Sequence, residues 1–134
     1  MKRVIEPGLP APTEDEEQAA LIEWAYIEGL RRPELMLLYA VPNGGYRPPR
    51  TAAILKRTGV RPGVPDLCLP VARPPYHGLY IELKRRRGAA VSAYQKIWID
   101  RLREQGYRAV VSYGWDEARE EILAYLDGGV PTTW

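Results

Sequence analysis

The sequence predicts a mixed α/β domain, a small sheet flanked by helices in the order α-β-(α)-β-β-α-β-α. Three observations carry that expectation. Asp66-Leu67-Cys68-Leu69 and Leu79-Tyr80-Ile81-Glu82-Leu83 are short apolar runs that read as neighbouring strands. Thr13-x-x-Glu16 and Ser92-x-x-Gln95 are capping boxes, each opening a stretch with helical apolar spacing. Hydrophobic residues make up 46% of 134 positions, enough for one core in one domain.

The elements follow in chain order. Residues 1–12, with Pro7, Pro10 and Pro12, form an extended leader without a helical or strand period. The single domain spans 13–127. Its first helix runs from Thr13 to about Gly29, with acids in the first turn that complement the macrodipole and an apolar stripe of Leu21, Trp24 and Ala25. Leu35–Val41 is an apolar run bounded by Pro33 and Pro42 and is predicted as a buried strand. Asn43-Gly44-Gly45 is turn chemistry, Pro48-Pro49 prolongs the loop, and Thr51–Arg57 can form a short helix ending near Gly59. Arg61 to Pro65 approach the Asp66 strand irregularly, and Ala72–His77 close the hairpin to the next strand. The Ser92 helix is expected to turn Tyr94, Ile97, Trp98 and Leu102 to one side and to stop at Gly106. Tyr107–Tyr113 is the last strand, and Asp116 caps a final helix carrying Ile122, Leu123 and Leu126. Residues 128–134 are a short tail.

Charge is segregated along the chain. The net value is only +2. Residues 1–30 carry two basic against seven acidic side chains, residues 31–113 carry 16 against five, and the stretch from Gly114 carries one against five. No acid lies between Glu34 and Asp66, where Arg47, Arg50, Lys56, Arg57 and Arg61 all fall. A basic centre between acidic helices is what a phosphate backbone requires of one face. One cysteine excludes an internal disulfide and a Cys-based zinc site; Cys68, between two leucines, reads as a small buried hydrophobe. No run approaches a membrane span and no apolar signal segment opens the chain, so a soluble, intracellular protein is expected.

Chemistry concentrates in Asp66, Glu82 and Lys84. Side chains alternate along a strand, so Glu82 and Lys84 share one face, and Asp66 enters the neighbouring strand behind Pro65. An unpaired carboxylate inside an apolar strand is costly, which argues for a ligand role at Glu82 over a plain salt bridge to Lys84. Carboxylate oxygens suit Mg²⁺ or Mn²⁺, and such ions can hold the attacking and leaving oxygens of a phosphodiester. Asp66 and Glu82 are the expected ligands, the Leu83 carbonyl a further oxygen, and Lys84 the group that orients water or stabilises charge on the phosphate.

This pattern resembles the VRR-NUC family of the PD-(D/E)xK nuclease superfamily. The matching positions are Asn43-Gly44-Gly45, Gly59 through Gly63-Val64-Pro65-Asp66, Ile81-Glu82-Leu83-Lys84, Ser92, Gln95 and Gly106-Tyr107, with a helical glutamate near Glu17-Gln18. The resemblance implies a restriction-endonuclease-like fold and metal-dependent cleavage of DNA, often branched or flapped. It implies catalytic roles for Asp66, Glu82, Lys84 and Gln95, although Gln95 could equally do no more than cap its own helix. Glu17, four residues before Leu21, is the expected helical metal ligand, with Glu14 the alternative. Arg47, Arg50, Lys56, Arg57, Arg61, Arg85, Arg86 and Arg87 are assigned to phosphate contacts as a group.

The partners expected are DNA, a second copy of the chain in a homodimer acting on symmetric branched DNA, and an accessory replication or recombination protein; no membrane is expected. Two competitors stand beside the nuclease: a non-catalytic DNA-binding module, and an assembly protein whose basic centre meets an acidic partner. His77 is the one histidine, which excludes sites needing two. Gly78-Leu79-Tyr80 echoes the first motif of GIY-YIG nucleases, but no second motif follows.

Overall fold

Thr13 starts the first helix as its capping box requires. Its hydroxyl accepts the Glu16 N–H at 3.2 Å and the Glu16 carboxylate accepts the Thr13 N–H at 3.1 Å, opening α1 (Glu14–Glu28). The computed structural model describes residues 10–42 and 47–131. The Asn43-Gly44-Gly45 turn, positions 1–9 of the leader and positions 132–134 of the tail therefore lie outside the described residues.

After α1 come β1 (Tyr39–Ala40), α2 (Pro49–Arg57), β2 (Leu67–Leu69), β3 (Leu79–Lys84), α3 (Ala93–Glu104), β4 (Arg108–Tyr113) and α4 (Trp115–Leu126). The sheet runs β1-β2-β3-β4; its first two pairings are antiparallel and β3 lies parallel to β4 across the α3 crossover. The mixed sheet with flanking helices is the predicted architecture. Alternation along β3 divides its two faces. Leu79, Ile81 and Leu83 join Leu21 of α1 and Ile122 and Tyr125 of α4 in the main core. The opposite face carries Glu82, which meets Gln95 of α3. Cys68 is buried and free, as its leucine neighbours suggest.

Four local expectations need correction. Leu35–Val41 is not one buried strand: Pro33–Leu37 form a 3-10 turn, and only Tyr39 and Ala40 pair, both exposed at the sheet edge. Pro33 sits in the first turn, where its fixed φ favours a helical start. Leu35 alone of that turn is buried, so the apolar run answers one contact instead of two sheet faces. On α3, Ile99 is the buried residue; Tyr94 and Ile97 are exposed, while Trp98 and Leu102 are half-buried. Asp116 is not the cap of α4, which Gly114 supplies at φ 87°; Asp116 lies in the first turn and binds Arg86. The short central helix begins earlier than expected, at Pro49. Among the described residues no helix is long and apolar enough to cross a membrane.

Candidate functional site

Register explains why Asp66 and Glu82 meet. Leu69 pairs with Leu79 and Leu67 with Ile81; one step further sets Asp66 opposite Glu82 at cross-strand distance. β2 has ended there. Asp66 Oδ2 instead accepts the Leu83 N–H at 2.8 Å, standing where the next ladder acceptor would be. On its other side the Asp66 carbonyl accepts the Val41 N–H at 2.7 Å, so both edges of this residue are pinned. The Leu83 N–H and carbonyl point to the same side of an extended strand, which puts the carbonyl on the Asp66 edge.

The approach to Asp66 depends on a glycine. Gly63 adopts φ +90°, and a Cβ there would lie 2.6 Å from the Tyr94 carbonyl carbon. The Gly-Val-Pro-Asp segment thus passes directly against the first turn of α3, which brings Gln95 to the site. One amide then does two jobs. Gln95 Oε1 accepts the Ser92 N–H at 2.8 Å, closing the capping box, and its Nε2 donates to Glu82 Oε1 at 2.7 Å. The helix cap and the contact with Glu82 are made by the two ends of one amide.

Glu82 is 2% exposed, and its Oε2 is buried without a hydrogen-bond partner. Lys84 Nζ stands 3.6 Å from Glu82 Oε1 and 4.0 Å from Glu14 Oε1. Burial and then the neighbouring Asp66 charge push the Glu82 carboxyl up to about 8, against the pull of Lys84. Burial also raises the Asp66 carboxyl, opposed chiefly by the Leu83 amide. A buried carboxyl and a half-buried one whose joint ionisation is disfavoured, the first with an idle oxygen, fit a divalent cation. Among the described residues no three acidic, histidine or cysteine side chains are already gathered into a metal cage. The fit is to a hard ion that takes one or two carboxylates and keeps its remaining positions for water and phosphate.

Glu17 does not join this cluster. It is fully buried, as its place in the α1 stripe predicts, but Arg86 Nε donates to Oε2 at 2.7 Å and Nη2 to Oε1 at 3.0 Å. The Trp115 N–H approaches the same Oε1 at 3.4 Å. Glu14, one turn nearer the helix start, is the α1 carboxylate beside Lys84. Of the two α1 acids weighed for the site, Glu14 is thus the one beside Lys84 and Glu17 the one paired with Arg86. Arg86, grouped with the phosphate contacts, is committed internally, bonding Glu17 and, at 3.0 Å, Asp116. It had no distinguishing mark within Arg85-Arg86-Arg87. The other assigned cations remain on the surface: Arg50, Lys56, Arg57, Arg61, Arg85 and Arg87 are exposed and Arg47 is half-buried. Arg85 additionally donates to the Gly88 carbonyl at 3.2 Å. His77 is exposed and packs against Gly106 and Tyr107, away from the carboxylates.

Comparison with known proteins gives the family and the fold. The VRR-NUC domain family matches residues 13–116. A solved structure described as a VRR_NUC domain protein superposes with a TM-score of 0.76 at 34% identity, over 88% of this chain and 91% of that one. No curated protein matches the chain.

Proposed function

The chain belongs to the VRR-NUC domain family, and from that premise we propose that it is a divalent-metal-dependent DNA endonuclease acting on branched, junction or flapped DNA. The family itself is nuclease-like, with DNA the substrate such a domain implies. The observation that carries the finer reading is the buried Glu82 carboxylate, with an unpartnered Oε2, set across from Asp66. Binding alone gives no reason to bury a second acid beside phosphates.

Asp66 and Glu82 would hold Mg²⁺ or Mn²⁺ with the Leu83 carbonyl, and Glu14, beside Lys84, would offer a further carboxylate oxygen. When bound, the ion supplies Lewis-acid stabilisation of the charge that grows on the phosphate oxygens. Gln95 fixes the Glu82 carboxylate through its Nε2. Lys84, held between Glu82 and Glu14, presents its ammonium to the attacking water or to the phosphate. Both carboxyls must be ionised to take a cation, so Lys84 and the ion together favour a state that burial opposes. The exposed cations of α2 and of the turn after β3 hold the DNA backbone. A two-fold homodimer extends the reach of so small a chain over a symmetric substrate, and an accessory replication or recombination protein is a second partner class consistent with it.

Labelled duplex, flap, four-way junction and single-stranded DNA, each with Mg²⁺ and with Mn²⁺, test the reading. Cleavage of a branched substrate that Glu82→Gln or Asp66→Asn abolishes, while DNA binding survives, is the expected result. Binding without cleavage under either metal would establish the non-catalytic module instead. Sedimentation that shows only monomer while junction cleavage persists would remove the dimer.

A further inference from the structure

The helix that carries Gln95 exposes two large apolar side chains beside the site. Tyr94 is 63% exposed and Ile97 is 56% exposed. They stand three residues apart, on adjacent turns of one helix face. Tyr94 is the immediate neighbour of Gln95, whose amide holds Glu82 at 2.7 Å. The Tyr94 Cβ would lie 2.8 Å from a Cβ on Gly63, so its root is fixed by close backbone contact while its ring faces outward. A rigid root with a free aromatic tip is a poor core residue and a good probe.

Charge selects what that probe meets. The segment 35–65 contains five basic residues and no acid; the stretch after β3 adds Arg85, Arg87 and Lys96 on the surface, with Lys84 and Arg86 paired internally and Asp100 one turn beyond Ile97. Gly63 and Tyr94 are where these two segments touch. A second exposed apolar face exists on α1, formed by Ile22, Tyr26, Ile27 and Leu30. That face runs among Asp15, Glu23 and Glu28, whose charges repel phosphate. Set against the α1 face, the α3 pair combines apolar surface, a more basic setting and adjacency to the carboxylates.

We propose that Tyr94 and Ile97 form a wedge that stacks on the base pair laid open at a DNA branch and so sets where the strand is cut. An unbroken duplex must be unstacked before an apolar wedge can enter, which costs free energy at each base step. At a flap or junction one base pair has already lost its stacking neighbour, and the tyrosine ring replaces it. Stacking on an aromatic face is tolerant of sequence, because every base has such a face. Selection would then fall on structure and not on base identity. The inference rests on the nuclease reading above and names the residues through which that reading acquires its preference.

The test is binding of the full-length protein, in EDTA so that no strand is cut, to a flapped duplex and to an unbroken duplex of equal length at one salt concentration. Wild type is expected to favour the flap by about tenfold, the order of one base stacked on an aromatic ring. Tyr94→Ala, and Tyr94→Ala with Ile97→Ser, bring the ratio towards one with affinity for the unbroken duplex changed by less than about twofold, while Tyr94→Phe retains the preference. In Mg²⁺ the alanine variant cuts flaps at scattered positions. Full preference in Tyr94→Ala overturns the wedge, as would be seen if this face seats a protein. Equal binding of both DNAs by wild type also overturns it, leaving the nuclease reading intact. Failure to bind either DNA brings down both.

Discussion

Glu82 ties stability to pH in a direction opposite to that of a salt-bridged acid. Its carboxyl sits at about 8 in the fold against an ordinary 4.5. A group raised in this way stabilises the fold while protonated; the contribution is whole below about 4.5 and is lost as pH rises through about 8. In EDTA the melting temperature should therefore fall between about pH 5 and about pH 8.5, and Glu82→Gln should flatten that fall. Mg²⁺ should restore stability most at the alkaline end, where it replaces the missing proton. Parallel melting curves for wild type and variant across that range would show that Glu82 is not the burdened group. The two α1 acids separate in the same spirit. Glu17→Gln takes from Arg86 its buried partner and leaves it Asp116, and should cost stability on the order of 1–3 kcal/mol. Glu14→Gln should leave the melting temperature almost unchanged, because Glu14 is exposed, and should weaken Mn²⁺ binding. The reverse pattern in calorimetry and metal titration would return the ligand role to Glu17.

Elements place these residues, and here the sequence was legible wherever a local rule had no rival. Both capping boxes form as written, because Thr13 with Glu16 and Ser92 with Gln95 satisfy donors that no tertiary contact competes for. The strand pair forms because its alternation leaves one face for α1 and α4 and the other for α3. The Leu35–Val41 run failed because an apolar stretch does not record its period when few of its residues are buried. Tyr94 and Ile97 misled for a related reason: helical spacing marks a stripe but not which partner covers it. Arg86 was hidden since its acids lie 69 and 30 residues away. The Gly63 signal was present, but what crowds it, the Tyr94 backbone, lies 31 residues on. Substituting Gly63→Ala forces a Cβ against the Tyr94 backbone at positive φ, and strain of this kind costs ~1–3 kcal/mol. Relief by moving α3 outward would withdraw Gln95 from Glu82. Cleavage should therefore fall by more than the loss in melting temperature accounts for, measured as kcat on one substrate well below the melting point. A variant that folds and cuts like wild type would separate the Gly63 contact from the site.

At the scale of the whole molecule, a net charge of +2 is the residue of a strong division: acidic α1 and α4 and a basic middle. Association with DNA should then respond to salt according to the local cations and not to the total. Arg50 and Arg57 lie on α2, a helix with no buried residue, so their replacement does not disturb the core. Each phosphate contact releases counterions and contributes about 0.9 to the slope of log K against log salt on duplex DNA. Arg50→Gln with Arg57→Gln should thus reduce that slope by about 2 and weaken every DNA alike, with flap preference retained. Arg86→Gln removes a cation of the same formal charge, yet its guanidinium is spent on Glu17 and Asp116. It should lower the melting temperature while leaving the slope close to that of wild type. Titrations at four or more salt concentrations distinguish the two outcomes. An equal slope change from Arg86→Gln and from a single α2 substitution would mean that the internal ion pair opens to meet phosphate, and the division between structural and DNA-binding charge drawn from the fold would fail.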